Sequence, residues 1–489
     1  MNSQLNDQHS LIRGLGLVAA ISIIIGNVIG TGVFLKARVM TCNLGSPEWV
    51  MVAWIAAGLL SLAGALTYAE LSAMKPQAGG EYIFLRDAYG RASSFLYGWM
   101  MMFVGKTGAQ ASVAMVFAIG LNDFLDGALK QTLLTQDIFG YTYELTSLQI
   151  IAVMMIVIFT TINCASVVIT GQIATALTFV KIALIGFVGI GAFIWASGGT
   201  FGHFGMLNSG GTCEGVSAAA TYGSANYSFL AGFGAAMLGA LWGYDGWNNL
   251  TLVAGEIKDP GRNVPIALIG GIITIILLYV FAHAAYFYVL DPTTVASVSR
   301  DSSVAKEVVS RFFGADARSI ATGFAIALFT VGLMLSSIGT LHTSILTGAR
   351  VPYAMARDGL MFRSLGRLST GTRVPVIALV LQGIWACVLA LSGSFDTLTD
   401  YVIFGSWIFY ALVTSSVFVF RKRYPDAERP YRAWGYPVVP ILFLLVAGWL
   451  LINTLYTTPT QALAGIVLIL LGLPVYYYLT RRAAQETIE

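Results

Sequence analysis

Charge is scarce in this sequence. Asp, Glu, Lys and Arg make up 10% of the 489 residues, against roughly a quarter in a soluble globular protein. That shortage excludes a large solvated domain, and no nucleic-acid partner is expected from a net charge of only +3. Cysteine is nearly as sparse, at four residues with no C-x-x-C pair. His9, His203, His283 and His342 are scattered, and there is no H-E-x-x-H motif and no nucleotide-binding glycine loop. No metal and no cofactor are therefore expected. No paired catalytic carboxylates and no nucleophile–base set stand out, so the chain does not read as an enzyme. A cleavable signal peptide is also missing: the first dozen residues are polar, and no A-x-A site precedes the interruption of the first apolar run. The short polar tails leave no room for a signalling appendage, which argues against a pure sensor.

Apolar residues dominate instead, at 57% with a mean hydropathy of +0.76. The runs suffice for about twelve membrane spans of ~20 residues. The reading is an all-α polytopic membrane protein embedded in a lipid bilayer. Residues 1–11 form one tail, 12–197 hold five spans, 228–420 hold five more, 436–480 hold spans eleven and twelve, and 481–489 form the other tail. Placing both termini on the cytoplasmic side puts most of the 27 Lys and Arg residues in inner loops, as the positive-inside rule requires. This orientation sets the chain in the plasma (inner) membrane. The same arithmetic puts Lys36, Arg38 and Lys130 on the outer side.

Span one, near 12–40, contains I-G-N-V-I-G-T-G-V-F, with Gly30-Thr31-Gly32 at its middle. Glycine costs about 1 kcal/mol in a helix interior. Broken backbone at bilayer depth survives only where it is buried in protein or lines a cavity. The restarted helix would turn free N–H groups and its positive dipole end toward a site suited to a carboxylate. The competing reading is a close helix contact through small residues. Span six, near 228–256, carries a second such stretch, A-L-W-G-Y-D-G-W-N-N from Ala240 to Asn249. Each interrupted span opens a set of five, and the two sets start on opposite sides of the membrane. Paired interruptions in inverted halves point to the binding site of a secondary transporter.

Two lysines lie within spans, where insertion costs about 2.5–3.5 kcal/mol. Lys106 in span three has Asp245 as its expected partner. Lys181 in span five is the one formal charge of its run and favours a functional role. Loop 75–91, K-P-Q-A-G-G-E-Y-I-F-L-R-D-A-Y-G-R, has the pattern of a short amphipathic helix lying at the inner surface. Glu70 reads as an interfacial carboxylate paired with a loop base. Cys164 and Cys387 read as membrane-packed thiols. Cys42 and Cys213 fall in loops expected on one face, where a disulfide and two free thiols both remain open.

These motifs, with Y-A-E-L-S-A-M-K-P-Q-A-G-G-E-Y-I-F-L at span two, E-I-K-D-P-G-R-N-V-P after span six and R-P-Y-R-A-W-G-Y-P-V-V-P before span eleven, resemble the amino acid–polyamine–organocation superfamily. Within it they resemble the L-type amino acid transporter family and its prokaryotic members. The resemblance covers essentially the whole chain. It implies a five-plus-five inverted repeat with broken helices one and six, working by alternating access. It implies that a substrate carboxylate meets Gly30, Thr31 and Gly32, and that the ammonium meets carbonyls of Val28, Trp242 and Asp245. Trp242 would close over the substrate, and Lys181 would stand where sodium-coupled relatives hold a cation. Lys106 is then the candidate for side-chain selectivity. The expected activity is sodium-independent exchange or facilitated movement of L-amino acids, neutral in preference to acidic. An acidic amino acid or cystine exchanger using Lys106 and a proton-coupled symporter are the alternatives. Human members are disulfide-linked to a single-span glycoprotein through the loop between spans three and four. That loop here, Asn122 to Leu145, has no cysteine, so no such heavy chain is expected.

Overall fold

The computed structural model describes residues 13–485 apart from 126, 139–140, 166, 300–301, 315–318, 393–394 and 458. The expected tail 1–11 and residues 486–489 lie outside the described residues.

The chain opens with α1 (Leu17–Val28) and α2 (Gly32–Leu44), separated at Ile29–Thr31, so the first span is interrupted as expected. There follow α3 (Pro47–Met74), α4 (Glu81–Tyr89), α5 (Arg91–Met100), a π-helical turn at Met101–Gly105 and α6 (Lys106–Phe124). Strands β1 (Thr132–Ile138) and β2 (Tyr141–Thr146) pair antiparallel. Next come α7 (Ser147–Asn163) and α8 (Val167–Trp195), then α9 (Phe229–Tyr244) and α10 (Asn249–Leu252), the two pieces of the second interrupted span. Helices α11 (Pro260–Val289), α12 (Pro292–Ser297), α13 (Val304–Val309), α14 (Ile320–Gly348) and α15 (Arg350–Arg357) continue the chain. It ends with α16 (Val376–Ser392), α17 (Phe395–Arg423), α18 (Val438–Thr457), α19 (Pro459–Leu470) and α20 (Gly472–Gln485).

Among the described residues, nine helical segments are long and apolar enough to cross a membrane, and α7, α9 and α16 are shorter apolar helices. Their ends follow local chemistry. Ser46 caps α3 by accepting from Trp49 N at 3.3 Å, with Pro47 in the first turn. Thr146 and Gln149 form a capping box on α7. Gly45, at φ +73°, ends α2 in the left-handed conformation that a side chain would disfavour. The interrupted spans lie at the centre: α1 packs on α8 and α11, α2 on α9, and α14 lies against α6 and α8. Leu230, Leu277, Ile320 and Ile452 are exposed on the outside, as a lipid-facing surface requires.

Four expectations need correction. The helix in loop 75–91 exists, but it does not lie on the surface: Glu81, Tyr82, Ile83, Phe84 and Leu85 are all buried, because α4 wedges beneath α5 and α17. The segment between the third and fourth spans folds into the β1–β2 hairpin, so the molecule is not purely helical. Cys42 is not a loop residue. It belongs to α2, which continues past the expected end of the first span to Leu44 and also carries Lys36 and Arg38; Arg38 Nη1 donates to the Glu214 carbonyl at 3.1 Å. The fourth, the partner of Lys106, concerns the site and is described with it.

Glu70 is buried and accepts from Arg421 Nε at 3.0 Å and Nη2 at 2.6 Å, and from the backbone N–H of Ala433 at 2.6 Å; Arg429 Nε lies 3.3 Å away. Cys42 and Cys213 are disulfide-bonded, tying the end of α2 to the segment that precedes α9, while Cys164 and Cys387 are free. Thiol counting on denatured, unreduced protein is therefore expected to give two reactive thiols, rising to four after reduction. A count of four before reduction would contradict the bridge.

Candidate functional site

Helix α1 stops at Val28 because Ile29 turns to an extended conformation (φ −71°, ψ 91°) and the chain restarts only at Gly32. Helix α9 stops at Tyr244 in the same way: Asp245 is extended, at φ −61° and ψ 143°, and Gly246 adopts φ +104°. A residue with a β-carbon would be strained at that φ. The two breaks sit side by side. A β-carbon added to Gly32 would lie 2.5 Å from Gly243 Cα and 3.0 Å from Gly243 N. The contact is therefore backbone against backbone, with no flexible side chain to yield.

A small internal cavity of about 40 Å³ lies where the breaks meet. It is lined by Val28, Gly30, Thr31, Gly32, Trp242 and Asp245, the six residues expected to bind substrate, together with Lys106. Gly32 begins α2, so its N–H falls in a first turn that has no intrahelical acceptor. The first bonds of that turn run from Phe34 N and Leu35 N to the Thr31 carbonyl. The cavity thus has donors at the α2 start, a carboxylate at Asp245, an ammonium at Lys106 and an indole wall at Trp242, itself nearly buried.

Lys181 does not line this cavity. It lies just behind it, fully buried, and holds the first break in shape. Its Nζ donates to the carbonyls of Gly26 at 2.6 Å and Ile29 at 2.5 Å and to Thr340 Oγ1 at 2.6 Å. Those carbonyls belong to the last turn of α1 and to Ile29 just beyond it, where helical acceptors run out of partners. Gly339 makes room for the lysine: a β-carbon there would stand 2.8 Å from Lys181 Cε. Tyr279 supports both breaks, its hydroxyl lying 2.9 Å from the Val28 carbonyl oxygen and 2.8 Å from that of Gly243.

Lys106 is not paired with Asp245 as expected. Its Nζ donates to Asn249 Oδ1, and Asn249 Nδ2 donates to Asn27 Oδ1 at 3.1 Å. Asp245 Oδ1 accepts from Tyr410 at 2.7 Å. The reason is positional. The chain turns at Gly246 between the two residues, so Asn249, at the start of α10, reaches Lys106 while Asp245 faces α17. The π-helical turn at Met101–Gly105 inserts an extra residue immediately before Lys106, a feature common at functional sites. Asn27, Asn249, Thr340 and Ser344 also line the cavity and were not singled out in the sequence. Asn27 and Asn249 sit in the two interrupted motifs, where a buried amide needs partners.

Gly32→Ala is expected to lower any transport through this site by at least about fivefold, in line with the ~1–3 kcal/mol cost of overpacking a rigid contact. Uptake by reconstituted protein, normalised to folded protein on gel filtration, checks this. Wild-type rates would show that the two breaks do not need their close approach.

A family model described as amino acid permease matches residues 15–476. The serine/threonine exchanger SteT of Bacillus subtilis is 29% identical over 480 residues, covering 98% of this chain and 99% of SteT. The b(0,+)-type amino acid transporter 1 of Mus musculus is 27% identical over 470 residues, covering 96% and 88%. The large neutral amino acids transporter small subunit 2 of the same species is 28% identical over 477 residues, covering 96% and 81%.

Proposed function

Since the chain belongs to the amino acid permease family and is an amino acid transporter in the L-type line, we propose that it exchanges neutral L-amino acids by sodium-independent alternating access. One observation carries the reading. The residues of two helix breaks, separated by about two hundred positions in sequence, line one cavity. The substrate carboxylate is held by the N–H groups and hydroxyl at Gly30, Thr31 and Gly32, where the dipole of α2 favours an anion. Its ammonium meets the open carbonyls of Val28, Trp242 and Asp245. The indole of Trp242 closes over it. Lys181 supplies a fixed positive charge at the first break, in place of a transported cation.

The architecture proposed is twelve spans, with the nine long segments and α7, α9 and α16 as their members, and an inverted repeat of 12–197 on 228–420. Residues 436–480 lie outside the repeat. Both termini are cytoplasmic and the chain sits in the plasma (inner) membrane. No disulfide-linked heavy chain is required, because Asn122–Leu145 has no cysteine.

Neutral substrates are favoured because the ammonium of Lys106 is taken up by Asn249 and offset by the carboxylate of Asp245 across the same cavity. The names of the serine/threonine exchanger and of the large neutral transporter point the same way. A second reading, an acidic amino acid or cystine exchanger, rests on Lys106 lining that cavity. Counterflow in proteoliposomes separates them. Vesicles are preloaded with unlabelled serine, alanine, leucine, glutamate, cystine or arginine, and labelled substrate is added at symmetric pH. Trans-stimulation by the neutral amino acids is expected, undiminished when choline replaces sodium. Trans-stimulation by glutamate or cystine alone would make Lys106 the selectivity residue, and dependence on sodium would overturn the role given to Lys181.

A further inference from the structure

Glu81 has no part in the site described above, yet it is fully buried beside it. It accepts three hydrogen bonds: from Tyr68 at 2.8 Å, from Tyr97 at 2.5 Å and from Asn248 Nδ2 at 2.8 Å. These donors come from α3, from α5 and from the unwound segment between α9 and α10. The Asn248 side chain also accepts from Tyr410 at 3.2 Å through its Oδ1. The single Tyr410 proton is shared between that oxygen and the nearer Asp245 Oδ1, at 2.7 Å, so a continuous set of polar contacts joins Glu81 to the cavity.

The backbone around Glu81 is built for closeness. Gly80, at φ +36°, sits against Thr251, and a β-carbon there would lie 2.6 Å from the Thr251 carbonyl carbon. Gly79 N donates to the Leu252 carbonyl at 3.0 Å. The start of α4 thus clasps α10 through its backbone, while Glu81 clasps the break itself. Among the described residues, no other carboxylate ties the second break to α3 and α5.

We propose that Glu81 is a proton-sensitive positioning residue: ionised, it latches the unwound segment at Asn248 to α3 and α5, and protonated, it releases that segment for the rearrangement that opens the site. The inference rests on the transport reading. A carboxylate with three donors is satisfied, whereas a carboxylic acid must donate its own proton and gives up part of that acceptor capacity. An alternating-access cycle that moves the second break has to part Asn248 from Glu81, and a bare buried carboxylate left behind is costly. Proton uptake at that moment removes the cost.

The groups facing Glu81 set where this happens. Burial raises its carboxyl above the usual carboxylate range, while the hydrogen bonds from Tyr97, Tyr68 and Asn248 and the charge of Lys106 pull it back. Tyr410 is the remaining titratable neighbour, through Asn248. On its own helix, Arg86 and Asp87 are engaged with each other, with Asp358 and with Lys75.

The test uses the full-length protein with Cys164 and Cys387 replaced by serine and a single reporter thiol introduced by Ser344→Cys in the cavity wall. Maleimide labelling is compared between this parent and its Glu81→Gln counterpart at each pH, so that the intrinsic reactivity of the thiol cancels. The Gln variant is expected to label several-fold faster than the parent at pH 8 and at the same rate near pH 5. Tyr97→Phe, which removes one donor to the carboxylate, is expected to shift the convergence toward higher pH, and Glu81→Asp to keep the step. A ratio that stays constant with pH, or a Tyr97→Phe profile identical to the parent, would overturn the proposal. Should Glu81→Gln fail to fold, the Tyr97→Phe shift against the parent carries the test alone. The readout needs no substrate, so its failure counts against the latch and not against amino acid exchange.

Discussion

Replacing Lys181 by alanine is expected to lower exchange about thirtyfold. The ammonium is the close donor to two carbonyls in the break of the first span, at Gly26 and Ile29, and it also engages Thr340. Alanine leaves those carbonyls with the Thr340 hydroxyl, 3.3 Å from each, whose one proton can serve only one of them. A buried acceptor without a partner costs ~1–3 kcal/mol, and the middle of that range, about 2 kcal/mol, corresponds to that rate. Arginine is not expected to rescue. Gly339 packs so closely on Lys181 Cε that a planar guanidinium would collide with α14. Exchange rates of reconstituted protein, at equal folded amounts, decide the matter. A Lys181→Ala protein exchanging at the wild-type rate would mean that the break keeps its shape without the lysine. If Lys181 also carries the coupling proton, the same variant loses pH-driven accumulation while retaining measurable binding.

The second large effect concerns the end of the bundle that carries the N-terminus. Arg350 and Glu256 are fully buried and meet face to face, Nε to Oε1 at 2.8 Å and Nη2 to Oε2 at 3.0 Å, while Nη1 donates to the Leu346 carbonyl at 2.8 Å. Leu15 N donates to the Glu256 carbonyl at 3.0 Å, and Lys258 N to the Leu15 carbonyl at 2.8 Å. The start of the first span, the end of the sixth and the junction of α14 with α15 are thereby tied together on one side of the cavity. Breaking such a pair from one partner strands a buried charge, at a cost of about 3–5 kcal/mol. Arg350→Ala is therefore expected to destabilise the protein by about that amount in detergent, measured by chemical or thermal unfolding. The double change Arg350→Met with Glu256→Gln removes both charges and is expected to recover much of the loss. A single variant as stable as wild type, or a double variant less stable than the single, would show that the pair does not act as a unit.

What was legible in the sequence follows from how apolar its background is. Gly30-Thr31-Gly32 and the run from Gly243 to Asn249 stand out against long apolar stretches, because glycine weakens a helix and aspartate and asparagine need polar partners at bilayer depth. Lys181 stands out for the same reason. The residues that support the site from behind are hidden by distance along the chain. Glu81 finds Asn248 at a separation of 167 residues, and nothing in K-P-Q-A-G-G-E-Y distinguishes a buried carboxylate from an interfacial one. The charges of Lys75, Arg86, Asp87 and Arg91 made that segment look solvated, although its apolar face and Glu81 are enclosed. Asp245 was the natural partner for Lys106 by charge. The turn at Gly246 decides otherwise, and such a turn has a direction that the residue types alone do not reveal. The β1–β2 hairpin is not legible because Leu134 to Ile138 and Tyr141 to Leu145 are short and sit between two apolar spans.

Substrate is proposed to sit between the two breaks. The most direct measurement is an electron cryo-microscopy structure with a saturating neutral amino acid identified by counterflow. The expected result is density for the substrate with its carboxylate within hydrogen-bond distance of the backbone at Thr31 and Gly32 and its ammonium near the carbonyls of Val28 and Trp242. Substrate density elsewhere in the bundle, with the cavity beside Trp242 unchanged, would contradict the account.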